Sequence, residues 1–468
     1  MNEEKKVISK QESDNMGKTV PRSVLMAVVC LVAALSILFT YTFTSASKRQ
    51  YYSEKLAAQQ ETIDRLNNSQ GSTADFEELA LIAEIFERYA YYAGDVDEET
   101  LLTAVLKAYA EATGDDYAEY YTQEEYAEIM SQNAGDMVGI GVSVIQTVLT
   151  SGSTEIPVYQ IIAVYPGSSA ADTTLRVGDY IYALETDGGR VTVSSLGYTK
   201  FLAAFKGESG TTVSFSVYRQ AGEDSYESVD YSIVRAAFES TSVNAKLADG
   251  DPKTAIVQIT NFDLTTPTQF KAAVNAYLDA GVERFVFDVR NNPGGDLQSI
   301  KAVLSYFLQK NDLILSSIDR DGRVTRSYVA APTSLTGEYS SCNVAESEIG
   351  MYADLDMVVL CNQNTASAAE VFTATLRDYG LAKIVGETTF GKGIMQTFIP
   401  LATFGSQYSG YLKFTNYAYV TKCGVTYHDI GITPDVLVEL SDEAKQYNFY
   451  VLPQDKDNQL GAALAQFE

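Results

Sequence analysis

Val24 to Phe43 is almost continuously apolar, and no residue from Ser23 to Ser47 carries a charge. A helix needs about 20 such residues to cross the ~30 Å hydrocarbon core of a bilayer. A secretory leader is the competing reading, since Thr44-Ser45-Ala46 has the small residues of a cleavage site. The run is long for a leader core, so an uncleaved anchor is expected at 23–45, behind a tail at 1–22. Lys5, Lys6, Lys10, Lys18 and Arg22 precede the span, while Lys48, Arg49, Lys55 and Arg65 follow it. That slight excess points to a cytoplasmic tail and a body outside the membrane. Residues 46–74 are polar, end in Asn67-Asn68-Ser69-Gln70-Gly71-Ser72, and are read as a stalk.

Helical spacing begins at 75. Phe76, Leu79, Ile82, Ala83, Phe86 and Tyr89 form one stripe, and Leu101, Leu102, Val105, Leu106 and Tyr109 another. Two packed helices are expected within 75–135. A stretch rich in Gly and β-branched residues follows at 136–235, with strand-like runs such as 212–218. From 236, apolar runs at 255–259, 284–289 and 357–360 alternate with helical patterns at 268–280, 297–308 and 368–379. This alternation predicts an α/β domain with a partly parallel sheet over 236–450. A helical tail at 451–468 completes the division.

Composition removes several classes. The formal charge is −27 and no Lys/Arg-rich run occurs, so nucleic acid is excluded as a partner, because phosphate binding needs clustered basic side chains. Cys30 lies in the apolar run, and Cys342, Cys361 and Cys423 show no CxxC spacing. Neither a zinc site nor a disulfide framework is indicated, and free buried thiols are expected. No metal or other cofactor is called for.

The single histidine, His428, has no nucleophile near it in sequence, so a nucleophilic mechanism here must find its base in lysine. Ser367 stands where the run 357–360 passes through a polar turn into a helix, within Thr365-Ala366-Ser367-Ala368-Ala369-Glu370. The unpaired N–H groups of that helix start, Ala368 first, suit an oxyanion. A plain N-capping serine would give the same local sequence. Lys392 follows, flanked by Gly391 and Gly393, and must lose its proton near neutral pH through burial to act as a base. Gln396 is spaced to hold the amine toward the serine. Gly386 to Lys392 satisfies GxxxxGK, but Gly393 stands where a nucleotide-binding loop needs Ser or Thr, so ATP is rejected. Arg290-Asn291-Asn292-Pro293-Gly294-Gly295 is a tight turn at a strand end, and offers a second oxyanion donor.

Together these segments resemble the carboxy-terminal processing (tail-specific) serine proteases, collinearly from about residue 75. Arg290 to Gly295, Thr365 to Glu370, Thr389 to Gln396, and Gly431-Ile432-Thr433-Pro434-Asp435 each match a family motif in order. The resemblance implies Ser367 as nucleophile, Lys392 as general base and Gln396 orienting the lysine. Ala368 with Gly294 or Gly295 would then form the oxyanion hole. It also implies a mixed α/β peptidase core of the ClpP/crotonase-like type with an inserted α+β PDZ domain at 136–235, and a small helical region behind the transmembrane helix. Gly139-Ile140-Gly141-Val142 is similar to a PDZ carboxylate-binding loop, and Arg176 is a candidate contact between PDZ domain and core. Two segments depart from the family pattern, Asp115-Asp116-Tyr117-Ala118 and 419–424, and both are expected to lie outside the chemistry.

The expectation is a single-pass cell-membrane endopeptidase with an extracytoplasmic catalytic domain, able to pair as a homodimer, acting on proteins with unstructured C-termini. The rival from another class is a catalytically silent PDZ scaffold, disfavoured because Ser367, Lys392 and Gln396 are all present. A penicillin-recognising enzyme would need S-x-x-K, and residue 370 is Glu.

Overall fold

The computed structural model describes residues 81–82, 84–86, 97–151, 154–186, 188–222 and 225–467. The expected tail, anchor and stalk, and Cys30, lie outside these residues. Among the described residues no helix is long and apolar enough to cross a membrane. The chain divides into two units, 1–98 with 402–408, and 99–401 with 409–468. In the first, Leu81, Ile82, Ile85 and Phe86 have helical backbones and exposed side chains.

The second unit opens with α1 (Glu98–Glu111), β1 (Glu119–Tyr121) and α2 (Gln123–Ala134). A capping box starts α2: the Thr122 hydroxyl accepts from the Glu125 N–H, and the Glu125 carboxylate accepts from the Thr122 N–H. The expected burial of the α1 stripe is found only in part, with Val105 and Leu106 half-buried. Leu101, Leu102 and Tyr109 are exposed, and Ala110 is the buried residue of α1. On the polar side of the helix the Lys107 amine bonds Glu125.

Residues 136–239 form a β-rich module: β2 (Asp136–Gly139), β3 (Val142–Ser151), β4 (Thr154–Val164), β5 (Tyr180–Thr186), β6 (Gly189–Thr192), α3 (Val193–Leu196), α4 (Tyr198–Phe205), β7 (Thr212–Gly222), β8 (Ser225–Val234) and β9 (Ala236–Glu239). The main sheet runs β3-β4-β5-β7-β8, antiparallel throughout, with β6 beside β5. Ile140, Ile161, Ile181, Phe201, Phe215 and Val217 fill its core. The strand β3 lies at the sheet's edge, and β2 pairs with β9 where the chain enters and leaves the module.

The α/β domain follows: β10 (Val243–Ala248), β11 (Asp251–Ile259), α5 (Thr266–Asp279), β12 (Arg284–Asp288), α6 (Leu297–Ser305), β13 (Leu313–Ile318), β14 (Val324–Val329), β15 (Asp356–Cys361), α7 (Ala368–Asp378), β16 (Lys383–Gly386), β17 (Ile394–Pro400), β18 (Tyr411–Val420), β19 (Val436–Leu437) and α8 (Asn458–Leu464). One sheet runs β10-β11-β12-β15-β16-β19, parallel from β11 onward. Its strands are apolar on both sides, as a covered parallel sheet requires. Val257, Phe285, Phe287 and Val359 face α5, α6 and α7, while the alternate residues Ile256, Val286, Val358 and Val385 face Leu460 and Ala463 of α8. Residues 451–467 are thus built into the core. Cys342 and Cys361 are buried free thiols; Cys423, also free, is exposed, unlike the burial expected of all three.

A second, antiparallel sheet is organised around β18, which pairs with β1, β13 and β17. Because β1 joins it (Glu119 opposite Lys413), the 112–118 loop is fixed to the α/β domain.

Candidate active site

The chain leaves β15 and turns sharply into α7 at Ser367, whose backbone sits at φ 55°, ψ −119°. A non-glycine residue there stores about 1–3 kcal/mol of strain and persists only where its surroundings over-determine it. The surroundings are explicit. The Thr365 hydroxyl donates to the Val289 carbonyl at 2.8 Å, the Ala366 N–H to the Asn292 carbonyl at 2.9 Å, and the Asn291 N–H to Asn362 Oδ1 at 2.9 Å. The serine turn is thereby stitched to the 290–295 turn. Ser367 stands at the N-cap of α7, but its φ of 55° is not the extended backbone of a plain capping serine.

Glu370, one turn into α7 and fully buried, is the hub that sequence reasoning missed. Its Oε2 accepts from the N–H groups of Ser367 (2.9 Å) and Lys392 (2.8 Å), and its Oε1 from the Thr389 hydroxyl (2.6 Å) and the Gly391 N–H (2.8 Å). Burial pushes its carboxyl above the usual carboxylate range, and these donors only partly offset that. Tyr419 joins the same two segments from the other side: its phenol donates to the Lys392 carbonyl at 2.6 Å and lies 3.4 Å from the Ser367 carbonyl. The signal was present, since Ser367-Ala368-Ala369-Glu370 is an S-x-x-E capping-box pattern.

Gly391 has φ 92°, and a Cβ there would lie 2.9 Å from the Gly431 nitrogen, so the lysine loop can pass only as glycine. Lys392 is partly buried, and its amine lies 4.2 Å from the centroid of the Tyr117 ring. Burial holds its pKa below the ordinary lysine value; the Lys413 charge adds to this and Glu370 opposes it. Gln396 Nε2 donates to the Thr415 hydroxyl at 3.1 Å, and that hydroxyl donates to Asp115 Oδ1 at 3.0 Å. Both departing segments therefore reach the site, contrary to expectation: 115–118 supplies Asp115 and Tyr117, and 419–424 supplies Tyr419. Register explains it, because β1 and β18 carry these segments into the second sheet beside the lysine.

Ser367, Ala368, Lys392 and Gln396 line one cavity of about 580 Å³, with Gly295 and Asp296 at its wall. Gly294 has φ 106°, and a Cβ on it would stand 2.7 Å from Ser367 Cβ and 2.9 Å from the Ala368 nitrogen. The Gly294 N–H is already bonded to Asn292 Oδ1 at 2.8 Å. The bridge to Phe262 uses the Gly294 carbonyl and the Asp296 N–H, leaving the Gly295 N–H outside it.

Arg290 anchors this turn from beneath. It is buried; Asp288 and Asp457 each offer it two oxygens at 2.7–3.0 Å, and Gln459 Oε1 takes another donor at 3.0 Å. Asp457→Ala would strip a buried guanidinium of one carboxylate, so a stability loss of about 3–5 kcal/mol is expected. Urea denaturation reads it, and an unchanged midpoint would contradict the anchoring role.

The remaining sequence-selected residues lie elsewhere. Gly139 ends β2, Ile140 is buried in the module core, Gly141 (φ 83°) packs on Ser168, and Val142 starts the edge strand β3. Arg176 is exposed, and its nearest anion is Asp179 on its own loop, 4.0 Å away; the structure does not bring it to the core. His428 Nδ1 lies 3.3 Å from the Gly391 carbonyl and braces the lysine loop.

Residues 253–438 match the family model described as Peptidase family S41. The chain is 28% identical over 375 residues to a protein of Staphylococcus saprophyticus named as a CtpA-like serine protease, covering 79% of this chain and 66% of that one. It is 27% identical over 351 residues to the carboxyl-terminal-processing protease of a Picosynechococcus, covering 75% of each. It thus spans just under two thirds of the staphylococcal relative's length. A solved structure from Bacteroides fragilis, titled as an S41 protease, aligns with a TM-score of 0.50 at 16% identity over 86% of this chain and 99% of that one, and shares the mixed α/β fold. The chain therefore carries a serine-type peptidase domain. Its segment 253–438 is similar to peptidase family S41, and the Picosynechococcus relative is a carboxyl-terminal-processing protease.

Proposed function

We propose that this protein is a membrane-anchored serine endopeptidase that cleaves other proteins near unstructured C-terminal tails through an acyl-enzyme. Neutral Lys392 takes the Ser367 hydroxyl proton as Oγ attacks the scissile carbonyl carbon. The oxyanion forms against the N–H groups of Ala368 and Gly295, since that of Gly294 is engaged, and Gly294 supplies clearance instead. The C–N bond then breaks, Lys392 returns the proton to the leaving amine, and water hydrolyses the acyl-Ser367 ester. The observation that carries this reading is the strained Ser367 turn joined through one buried carboxylate to the lysine loop. No metal enters this chemistry.

The module at 136–235 is read as a PDZ domain that recognises or gates substrate. The support is its open edge strand β3, which starts at the Gly139–Val142 loop and suits addition of a peptide strand. Residues 23–45 are read as a single-pass anchor with the catalytic domain outside the cytoplasm, on their apolar pattern. The exposed apolar positions Leu101, Leu102 and Tyr109 of α1 are compatible with a homodimer.

Treating the detergent-solubilised full chain with a fluorophosphonate tests the site. The expected result is one adduct, on the peptide containing Ser367, with loss of activity toward unfolded casein. An adduct elsewhere, or undiminished cleavage by fully labelled protein, would sink the assignment.

A further inference from the structure

The Gly114–Ala118 loop, outside the family-matched core, reaches Gln396, which lines the same cavity as Lys392, through a chain of hydrogen bonds whose direction is fixed. An ionised carboxylate only accepts. Asp115 Oδ2 accepts from the Thr415 N–H at 2.6 Å, and its Oδ1 from the Thr415 hydroxyl and the Tyr117 N–H, each at 3.0 Å. Asp115 is held below the ordinary carboxylate range: burial opposes ionisation, but the bonds from Thr415 and Tyr117 and the Lys413 charge outweigh it. The Thr415 hydroxyl has one proton, and Asp115 takes it. Toward Gln396 that hydroxyl can therefore only accept, which turns the Gln396 Nε2 amide hydrogens to it at 3.1 Å. The Oε1 atom, an acceptor suited to an amine hydrogen, is the one left for Lys392. The same carboxylate ties down the Tyr117 N–H, whose ring lies beneath the lysine amine.

We propose that Asp115 and Thr415 are positioning residues for the base, setting which atom of the Gln396 amide faces Lys392. This rests on the reading of Lys392 and Gln396 given above. Asparagine at 115 cannot substitute, because whichever carboxylate oxygen becomes NH₂ then meets an N–H donor from Thr415 or Tyr117.

The test is steady-state cleavage of fluorescein-labelled unfolded casein by the solubilised full chain, with melting temperature measured for each variant. Thr415→Val and Asp115→Asn are each expected to lower kcat about tenfold with KM within about twofold, a geometric rather than a binding loss. The double variant should be no worse than the worse single, and Thr415→Ser should restore kcat. In a Gln396→Ala background, Thr415→Val should change nothing further. Unaltered kcat in Thr415→Val, a change confined to KM, or a kcat loss that persists in the Gln396→Ala background would overturn the proposal. Full kcat in Gln396→Ala alone would overturn the role of Gln396 itself and the proposal with it, and so separates the two failures.

Discussion

Lys392→Ala is expected to lower kcat for unfolded casein by on the order of 10⁴-fold or more, with Ser367→Ala equally inactive and the double variant no worse than either single. Residues that act as one unit lose most of their effect when any member is removed, so their losses do not add. The pH profile sharpens the test. As a base, Lys392 works only when neutral, so kcat/KM rises with pH through its pKa. Burial and Lys413 place that pKa below the ordinary ~10.4, and the rising limb should be displaced downward with it. Lys392→Arg keeps the charge but cannot give up its proton near neutral pH, so it should be inactive across the whole range. Activity retained by the arginine variant would show that charge alone is needed, and the general-base role would fall.

The second large effect is expected at Glu370. Glu370→Ala leaves the N–H groups of Ser367, Gly391 and Lys392 without their acceptor in a fully buried place. Each orphaned donor costs about 1–3 kcal/mol, and the sum approaches the whole stability of an ordinary domain, about 5–15 kcal/mol. This variant should fail to fold at 37 °C. Glu370→Gln is milder: with its amide nitrogen turned to the Thr389 hydroxyl, it orphans the Gly391 N–H alone, for about 1–3 kcal/mol. It should stay folded, read by urea unfolding, and still lose kcat because the strained Ser367 turn is no longer held to the lysine loop by a full charge. A Gln variant with undiminished kcat would reduce Glu370 to a stability element. Burial raises the folded carboxyl's pKa, so the native state holds that proton more tightly than the unfolded chain. Its contribution to stability is fully present below the unfolded pKa and is lost as pH rises through the raised folded value, so Glu370 does not drive acid unfolding.

The parallel sheet was legible because each strand is buried on both sides and reads as an unbroken apolar run: 284–289 emerged as β12 and 357–360 as β15. The proposed nucleophile and base, which line one cavity, were picked out by short-range chemistry, a serine at a strand-to-helix turn and a lysine between glycines. The supports were not. Tyr419, Thr415 and Asp115 act through pairings set by β1 and β18, which lie about 300 residues apart in the chain and leave no periodic trace in sequence. The α1 stripe misled for the opposite reason, since amphipathic spacing states which residues share a face and not what covers that face.

The clamp on Arg290 also imposes an order of events in biosynthesis. Ser367 and Lys392 emerge from the ribosome well before Asp457 and Gln459 do. A nascent chain halted between them holds every side chain the cleavage step uses, yet has only Asp288 to balance the buried guanidinium beneath the 290–295 turn. The 290–295 turn therefore gains its full set of charged partners only once α8 and the residues just before it have been made.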